Sequence, residues 1–285
     1  MTAEVVAFQS RQQWVDWQAQ HQAALNAQHR DNLDLAAALP VEPIAGHCVF
    51  CRAERRFGCA DGADPTTLSL RESLLCLACH TNARQRAVAQ LLFERIDPRN
   101  DDIYVTEQSS HLYLQLRRRC RSVCGSEFTT SWRQRFHLWL WLARHGRPGP
   151  LRREDLTRLS FAERSLDAIA SLDVLEHVPD ADRAFRECAR VLRPGGRLLM
   201  TVPFYSGRDA SEELARVGVD GSVEHLQPPE FHGDPLGGGV LCFHHFAWDL
   251  LDRLRDAGFT AASAIRLRDP ARGLPGANWI FCATR

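Results

Sequence analysis

Residues 155–204 read DLTRLSFAERSLDAIASLDVLEHVPDADRAFRECARVLRPGGRLLMTVPF, and this stretch decides the fold. Leu166 to Leu172 is an apolar run that reads as a buried strand. After the turn Leu175-Glu176-His177-Val178-Pro179-Asp180, apolar residues recur at helical period. Phe185, Cys188, Ala189 and Leu192 fall at i, i+3, i+4 and i+7. Asp180 is placed to cap that helix, Arg190 and Arg193 suit its last turn, and Pro194-Gly195-Gly196 stops it. Arg197 to Val202 is a second apolar, strand-like run. Strand, helix and strand in that order predict a parallel, right-handed βαβ crossover.

These fifty residues resemble the second half of a class I S-adenosylmethionine (SAM) dependent methyltransferase. The likeness rests on Asp155-x3-Leu159-Ser160-Phe161-x3-Ser165-Leu166-Asp167, on the Leu175-Glu176-His177-Val178 turn, and on the run Arg190 to Gly196 (RVLRPGG). It implies an α/β fold: a doubly wound, seven-stranded, mainly parallel sheet, here preceded by a small helical and zinc-binding module. At 285 residues and 32.2 kDa the chain has room for such a domain plus a smaller one.

Composition narrows the function classes. Net charge is zero, so the chain as a whole carries no electrostatic footprint for nucleic acid. All 35 basic residues are arginine, which excludes Schiff-base chemistry and a P-loop lysine. No apolar run approaches the roughly 20 residues needed to cross a bilayer. Glu4, Arg11 and Asp16 interrupt any signal-peptide core, so a cytoplasmic setting without membrane partners is expected. There, ten cysteines are expected as thiols or metal ligands rather than disulfides.

Residues 1–45 read as an arm of one or two amphipathic helices that packs on the body, a dimerisation role being the alternative. Residues 46–99 read as a zinc module with a linker helix over residues 80–97. Cys48-x2-Cys51 and Cys76-x2-Cys79 form two knuckles separated by 24 residues. That spacing suits one tetrahedral Zn²⁺ held by four thiolates, a closed and structural site. Four unrelated buried cysteines are the plain alternative, and Cys59, His47 and His80 are substitute ligands without knuckle spacing.

Residues 100–285 then form the methyltransferase-like domain. Asp102 to Thr106 reads as a strand, Ser109 to Arg119 as a helix and Arg121 to Gly125 as a second strand. Where the family has a glycine-rich loop, this chain has Val105-Thr106-Glu107-Gln108-Ser109-Ser110-His111. Glycine there allows close approach of cofactor and backbone, and small Ser109 and Ser110 meet that need in part. The resemblance implies SAM contacts at Glu107 (methionine ammonium), Ser109, Glu127 with Phe128 (ribose hydroxyls), Asp155 (adenine amino group), Leu156 (adenine face) and Leu172. A carboxylate suits the ribose because it accepts from both hydroxyls. Glu127 as a surface carboxylate is the bland alternative.

Residues 131–149 read as a helix bearing Trp132, Phe136, Trp139, Leu140 and Leu142. With the arginines around it, this stretch reads as a solvated basic face around an apolar stripe, or as an RNA-binding face. Arg153 to Leu156 closes a third strand. Phe259 to Arg266 and Trp279 to Thr284 supply the last two.

His177 lies where open α/β sheets place ligands and is the proposed general base, with His232 a second; alternatively His177 only shapes its turn. Residues 205–246 read as an irregular substrate lid carrying Tyr205, His225, Glu230 and His244 on the acceptor side. A metal site from His225, His232 and Asp234 is a weaker reading. The expected activity is methyl transfer from SAM to an oxygen or nitrogen of a small molecule such as a sugar or natural-product intermediate. An RNA methyltransferase and a non-catalytic binding protein are the alternatives.

Overall fold

The computed structural model describes residues 3–60, 64, 67–129, 131–233 and 239–285. The chain begins with β1 (Glu4–Phe8), α1 (Arg11–Ala38), β2 (Ile44–Cys48), β3 (Ala53–Gly58), β4 (Leu75–Cys76) and α2 (Ala83–Phe93). It continues through β5 (Asp102–Val105), α3 (His111–Arg119), β6 (Ser122–Gly125), α4 (Trp132–Arg144), β7 (Leu166–Leu172), α5 (Ala181–Val191) and β8 (Leu192–Thr201). Six short strands follow: β9 (Glu212–Glu213), β10 (Ala215–Val217), β11 (Val223–His225), β12 (Phe231–His232), β13 (Val240–Leu241) and β14 (His244–His245). The chain closes with α6 (Leu250–Asp256), β15 (Ala261–Asp269) and β16 (Leu274–Thr284). It divides into two compact units, Met1–Asp97 with Ser263–Phe281, and Pro98–Ala262 with Cys282–Arg285. Residues 263–281, expected with the 100–285 domain, thus cluster with the N-terminal unit.

The main sheet has seven strands in the order β1-β15-β16-β8-β7-β5-β6, with β5–β6, β5–β7 and β7–β8 paired in parallel. Its membership differs from expectation in two places. The third strand, expected to close at Leu156, is reduced to a single parallel bridge between Arg153 and Glu127. Pro148 and Pro150 lie just before it, and proline offers no N–H to a ladder. The seventh strand is instead β1, from the arm expected to be all helix. It pairs antiparallel with β15 from Glu4↔Arg268 to Phe8↔Ala264. Phe8 then meets Trp14 at 5.5 Å, Trp17 at 5.8 Å and Trp279 at 5.8 Å, anchoring α1 behind the strand.

In the second unit, β7 is buried along nearly its whole length, as a central parallel strand must be. It pairs in parallel with β5 and β8. Between β7 and β8, α5 buries Phe185, Cys188 and Ala189 as the periodicity predicts, together with Ala184, and Asp180 caps it by accepting from the Arg183 N–H at 2.9 Å. The helix ends at Val191, earlier than expected: Leu192, Arg193 and Pro194-Gly195-Gly196 belong to β8, whose pairing is irregular between Leu166↔Leu192 and Ala168↔Arg197, where Gly195 takes φ +83°.

Two further expectations are corrected. In α4 only Leu142 is buried, packed with Leu114 and Leu151. Trp132, Phe136 and Trp139 are exposed, because the face that packs carries Leu138, Trp141 and Leu142. The expected irregular lid is built of antiparallel pairs, β9 with β14, β10 with β11 and β12 with β13. Its residues 234–238, including Asp234, lie outside the described residues. Among the described residues no helix is long and apolar enough to cross a membrane.

Candidate functional site

The carboxyl ends of β5, β6 and β7 bring the expected SAM residues into one region. Glu107 and Ser109 sit in the β5–α3 loop, and Ser110 caps α3 by accepting from the Tyr113 N–H at 3.2 Å. Glu127 follows β6 and turns back onto that loop. Its Oε1 accepts from the N–H groups of Gln108 at 2.9 Å and Ser109 at 2.6 Å. Burial pushes the Glu127 carboxyl above the usual range, and these loop donors oppose the rise. Gln108 is buried and ties the loop outward: its Nε2 donates to the Pro150 carbonyl at 3.1 Å and its Oε1 accepts from the Arg152 N–H at 3.1 Å. The close approach that glycine would provide is thus spent inside the protein. Gly125 belongs to this packing, since a Cβ there would meet the Tyr113 ring at 2.8 Å and the Gln108 Cα at 3.1 Å.

The other residues expected to contact SAM are placed less uniformly. Phe128 is exposed, with the Arg153 guanidinium 5.6 Å over its ring. Leu156 and Leu172 are core residues. Asp155 is exposed and folds onto Thr157, accepting from its N–H at 2.8 Å and its hydroxyl at 2.7 Å. The buried acid of the pair is Glu154, which accepts from Arg152 and from Ser160. In kind, the acids of this set fit a nucleoside cofactor, a half-buried carboxylate after β6 and a buried Glu107 Oε1 in the loop before α3, while that loop's Gln108 and Ser109 N–H groups are taken by Glu127.

At the carboxyl end of β7 the chain makes a 3-10 turn over Leu175–His177. The segment 240–245 lies against it, with the Phe243 N–H donating to the Glu176 carbonyl at 2.8 Å. His177 Nδ1 is 2.8 Å from the Leu241 carbonyl. A carbonyl only accepts, so Nδ1 carries hydrogen and Nε2 is left as the acceptor in the neutral ring. His232 meets His177 edge to face at 5.0 Å, and its Nε2 donates to Glu230 Oε1 at 3.0 Å. His245 Nε2 donates to the other oxygen of Glu230 at 2.8 Å, and the Tyr205 ring packs on His245 at 4.4 Å. The Glu176 carboxylate first, then Glu230, hold His232 up to about 9, so its proton is retained at neutral pH.

The structure therefore joins His177, His232, Glu230 and Tyr205 from positions far apart in sequence. It sets two others apart. His225 is exposed on β11, and among the described residues no hydrogen bond or ring contact links it to this cluster. His244 is buried and donates to the Val178 and Pro179 carbonyls at 3.1 Å, facing an open cleft with Asp180, Glu213 and Arg253. Desolvation lowers its basicity. Glu176, Cys242 and His245 are cluster members that sequence reasoning did not assign. The acid before His177 in the turn was the one available signal; the others are hidden by the sequence separation of 64 between His177 and Leu241.

In the first unit the four cysteines converge as their spacing predicts. All four sulfurs lie within 4.8 Å of one another. Cys48 to Cys79 is 3.7 Å and Cys51 to Cys76 is 3.9 Å. Ligands bound to zinc at about 2.3 Å in a tetrahedron lie about 3.8 Å apart. The two knuckles repeat one geometry. Arg52 and His80, each just after a second cysteine, take φ +53° and +59° and donate their N–H to the carbonyls of Cys48 and Cys76 at 2.8 Å. Buried Arg86 donates to the Leu74 carbonyl at 3.1 Å, the Gly273 carbonyl at 2.9 Å and the Thr81 carbonyl, and lies over the Phe57 ring at 4.5 Å. Burial lowers its guanidinium to about 10, and the four cysteine sulfurs are the charges that oppose this. A tetrathiolate zinc centre is anionic, and a buried cation suits it.

Residues 108–200 match the family model described as a methyltransferase domain. The chain is similar to the 27-O-demethylrifamycin SV methyltransferase of Amycolatopsis mediterranei, 39% identical over 81 residues, covering 27% of this chain and 30% of that protein. It is also similar to the methyltransferase GfsG of Streptomyces halstedii, 50% identical over 80 residues, covering 25% of this chain and 28% of that protein. The chain thus spans less than a third of the length of either relative. Among solved structures, an S-adenosylmethionine dependent methyltransferase from Mesorhizobium loti aligns with 73% of this chain and all of its own, at 19% identity and a TM-score of 0.47.

Proposed function

We propose that this protein transfers a methyl group from SAM to an oxygen or nitrogen of a small molecule. The observation that carries the reading is the position of Glu127: a half-buried carboxylate at the carboxyl end of β6, bonded to the loop that precedes α3. It lies inside the stretch that matches a methyltransferase domain, and an acid there holds ribose hydroxyls. Similar proteins named as a 27-O-demethylrifamycin SV methyltransferase and, in Xanthomonas oryzae, a ubiquinone biosynthesis O-methyltransferase support a small acceptor with a reactive oxygen.

When bound, SAM supplies the activated methyl group through its sulfonium. The protein then has to position two reactants, exclude water and manage one proton. Glu127, Glu107 and Ser109 take the cofactor side. The acceptor side is the His177–His232 cluster. With Nδ1 committed to Leu241, His177 offers Nε2 as a fixed lone pair for the acceptor's proton. His232, held protonated, offers positive charge beside it. The cysteine centre takes structural Zn²⁺, since four thiolates leave no open position for chemistry.

Calorimetric titration of the folded, zinc-loaded protein with SAM and with S-adenosylhomocysteine tests this reading. Binding of both is expected; binding of neither would overturn it.

A further inference from the structure

We infer that Glu176, His177 and His232 form a binding site for a divalent transition-metal cation, separate from the cysteine centre.

Glu176 is completely buried, and among the described residues neither of its carboxylate oxygens has a hydrogen-bond partner. A buried carboxylate without donors is costly unless it is paired or bound to a metal. Two nitrogens point at the same oxygen. His177 Nε2 and His232 Nδ1 each lie 3.7 Å from Glu176 Oε1. That is too long for a hydrogen bond. It is within the span of two ligands sharing one ion, since bonds of about 2.0–2.2 Å limit that span to about 4.4 Å. All three ligand atoms fall within 4.8 Å of one another.

The outer shell has the pattern of a metal site. The other nitrogen of each ring carries a hydrogen that is already donated, His177 Nδ1 to the Leu241 carbonyl and His232 Nε2 to Glu230. Metal-bound histidines are held in this way, with the outward N–H fixed by a carbonyl or carboxylate, and an ion bound here would displace the proton that His232 otherwise holds on Nδ1 toward Glu176. Glu230 is itself braced by His245 at 2.8 Å. Because Glu230 and His245 are directly hydrogen-bonded, they serve as this outer shell and not as a second cation site. Two imidazoles and one carboxylate leave coordination positions open, which suits a first-row divalent ion. A bound ion would take the His177 Nε2 lone pair, so it would replace His177 as proton acceptor and act as Lewis acid toward an acceptor oxygen; that role rests on the methyl-transfer reading above, and the binding itself does not.

The test uses the full-length protein, loaded with zinc and freed of loose metal, then titrated with Co²⁺ in the absence of SAM. Metal content and visible absorption are read together. One equivalent of Co²⁺ is expected beyond the cysteine-bound zinc, giving weak ligand-field bands without the strong near-ultraviolet absorption of cobalt–thiolate bonds. Glu176→Gln and His232→Ala should each weaken that equivalent by about tenfold or more, while the zinc and the circular dichroism are retained. His232→Ala is the safer variant, since His232 is only partly buried and lies on a short lid strand. No added cobalt in the wild type up to about 1 mM, or binding that neither variant changes, would overturn the inference and leave a proton shared between His232 and its two carboxylates as the occupant. Neither result bears on SAM binding, so the two readings fail separately.

Discussion

Glu127 Oε1 lies 2.9 Å from the backbone nitrogen of Gln108, nineteen residues earlier in the chain. Through this bond the loop after β5 is closed by an acid from the end of β6 and does not need glycine. Removing that acid removes both the loop's brace and the proposed ribose acceptor. Glu127→Ala should weaken SAM binding by about 10–100-fold, because a hydrogen bond to a charged group contributes about 1.5–3 kcal/mol and each tenfold is about 1.4 kcal/mol. Calorimetry measures it, and an unchanged Kd would take Glu127 out of the cofactor site.

His177 should separate chemistry from cofactor binding. His177→Ala is expected to lower kcat by about 10²–10⁴-fold, the range for loss of a general base, while the Kd for SAM stays nearly constant. Direct SAM titration beside steady-state kinetics distinguishes this from collapse of the turn, which would move both numbers.

Arg86 should matter to the cysteine centre through charge and through backbone. Arg86→Met leaves the carbonyls of Leu74, Thr81 and Gly273 without their buried donor and removes the cation beside four sulfurs. Each orphaned group costs about 1–3 kcal/mol. Earlier unfolding in denaturant and faster zinc loss to a chelator are expected. Zinc release at the wild-type rate would show that the guanidinium only fills space.

Glu154 offers a pH signature. Burial would raise its carboxyl, but hydrogen bonds from Ser160 and Arg152 outweigh burial and hold it below the usual range. A carboxyl with a depressed folded-state pKa stabilises the fold above its ordinary pKa of about 4.3, and that stabilisation is lost as pH falls through the lowered value. The melting temperature of Glu154→Gln should therefore lie below wild type at pH 7, with the gap closing as the buffer is taken down toward pH 3. A gap that does not depend on pH would mean that shape, and not charge, is what the site requires.

Local pattern was enough for much of this molecule. The βαβ unit over residues 166–201 follows from apolar runs and a capping Asp180, which act within a few residues of themselves, while Pro194-Gly195-Gly196, expected to stop the helix, lies in the strand that follows it. The cysteine centre is equally local, since each knuckle is a turn that presents two sulfurs whatever surrounds it. Other features depended on which surfaces meet. Val5 to Phe8 became a sheet strand because β15 offered it an open edge. The segment ending at Leu156 did not, since prolines interrupt its approach. Trp132 and Phe136 stayed outside because another face of α4 found the core. The acceptor cluster is the clearest case. Glu176 and His177 are adjacent, but their partners at 230, 232, 241 and 245 arrive through a lid whose course is set by tertiary pairing. Short-range sequence specifies turns and faces, because those energies are local. A buried carboxylate facing two imidazoles forms only when distant segments pack, and that relationship has no sequence spacing of its own.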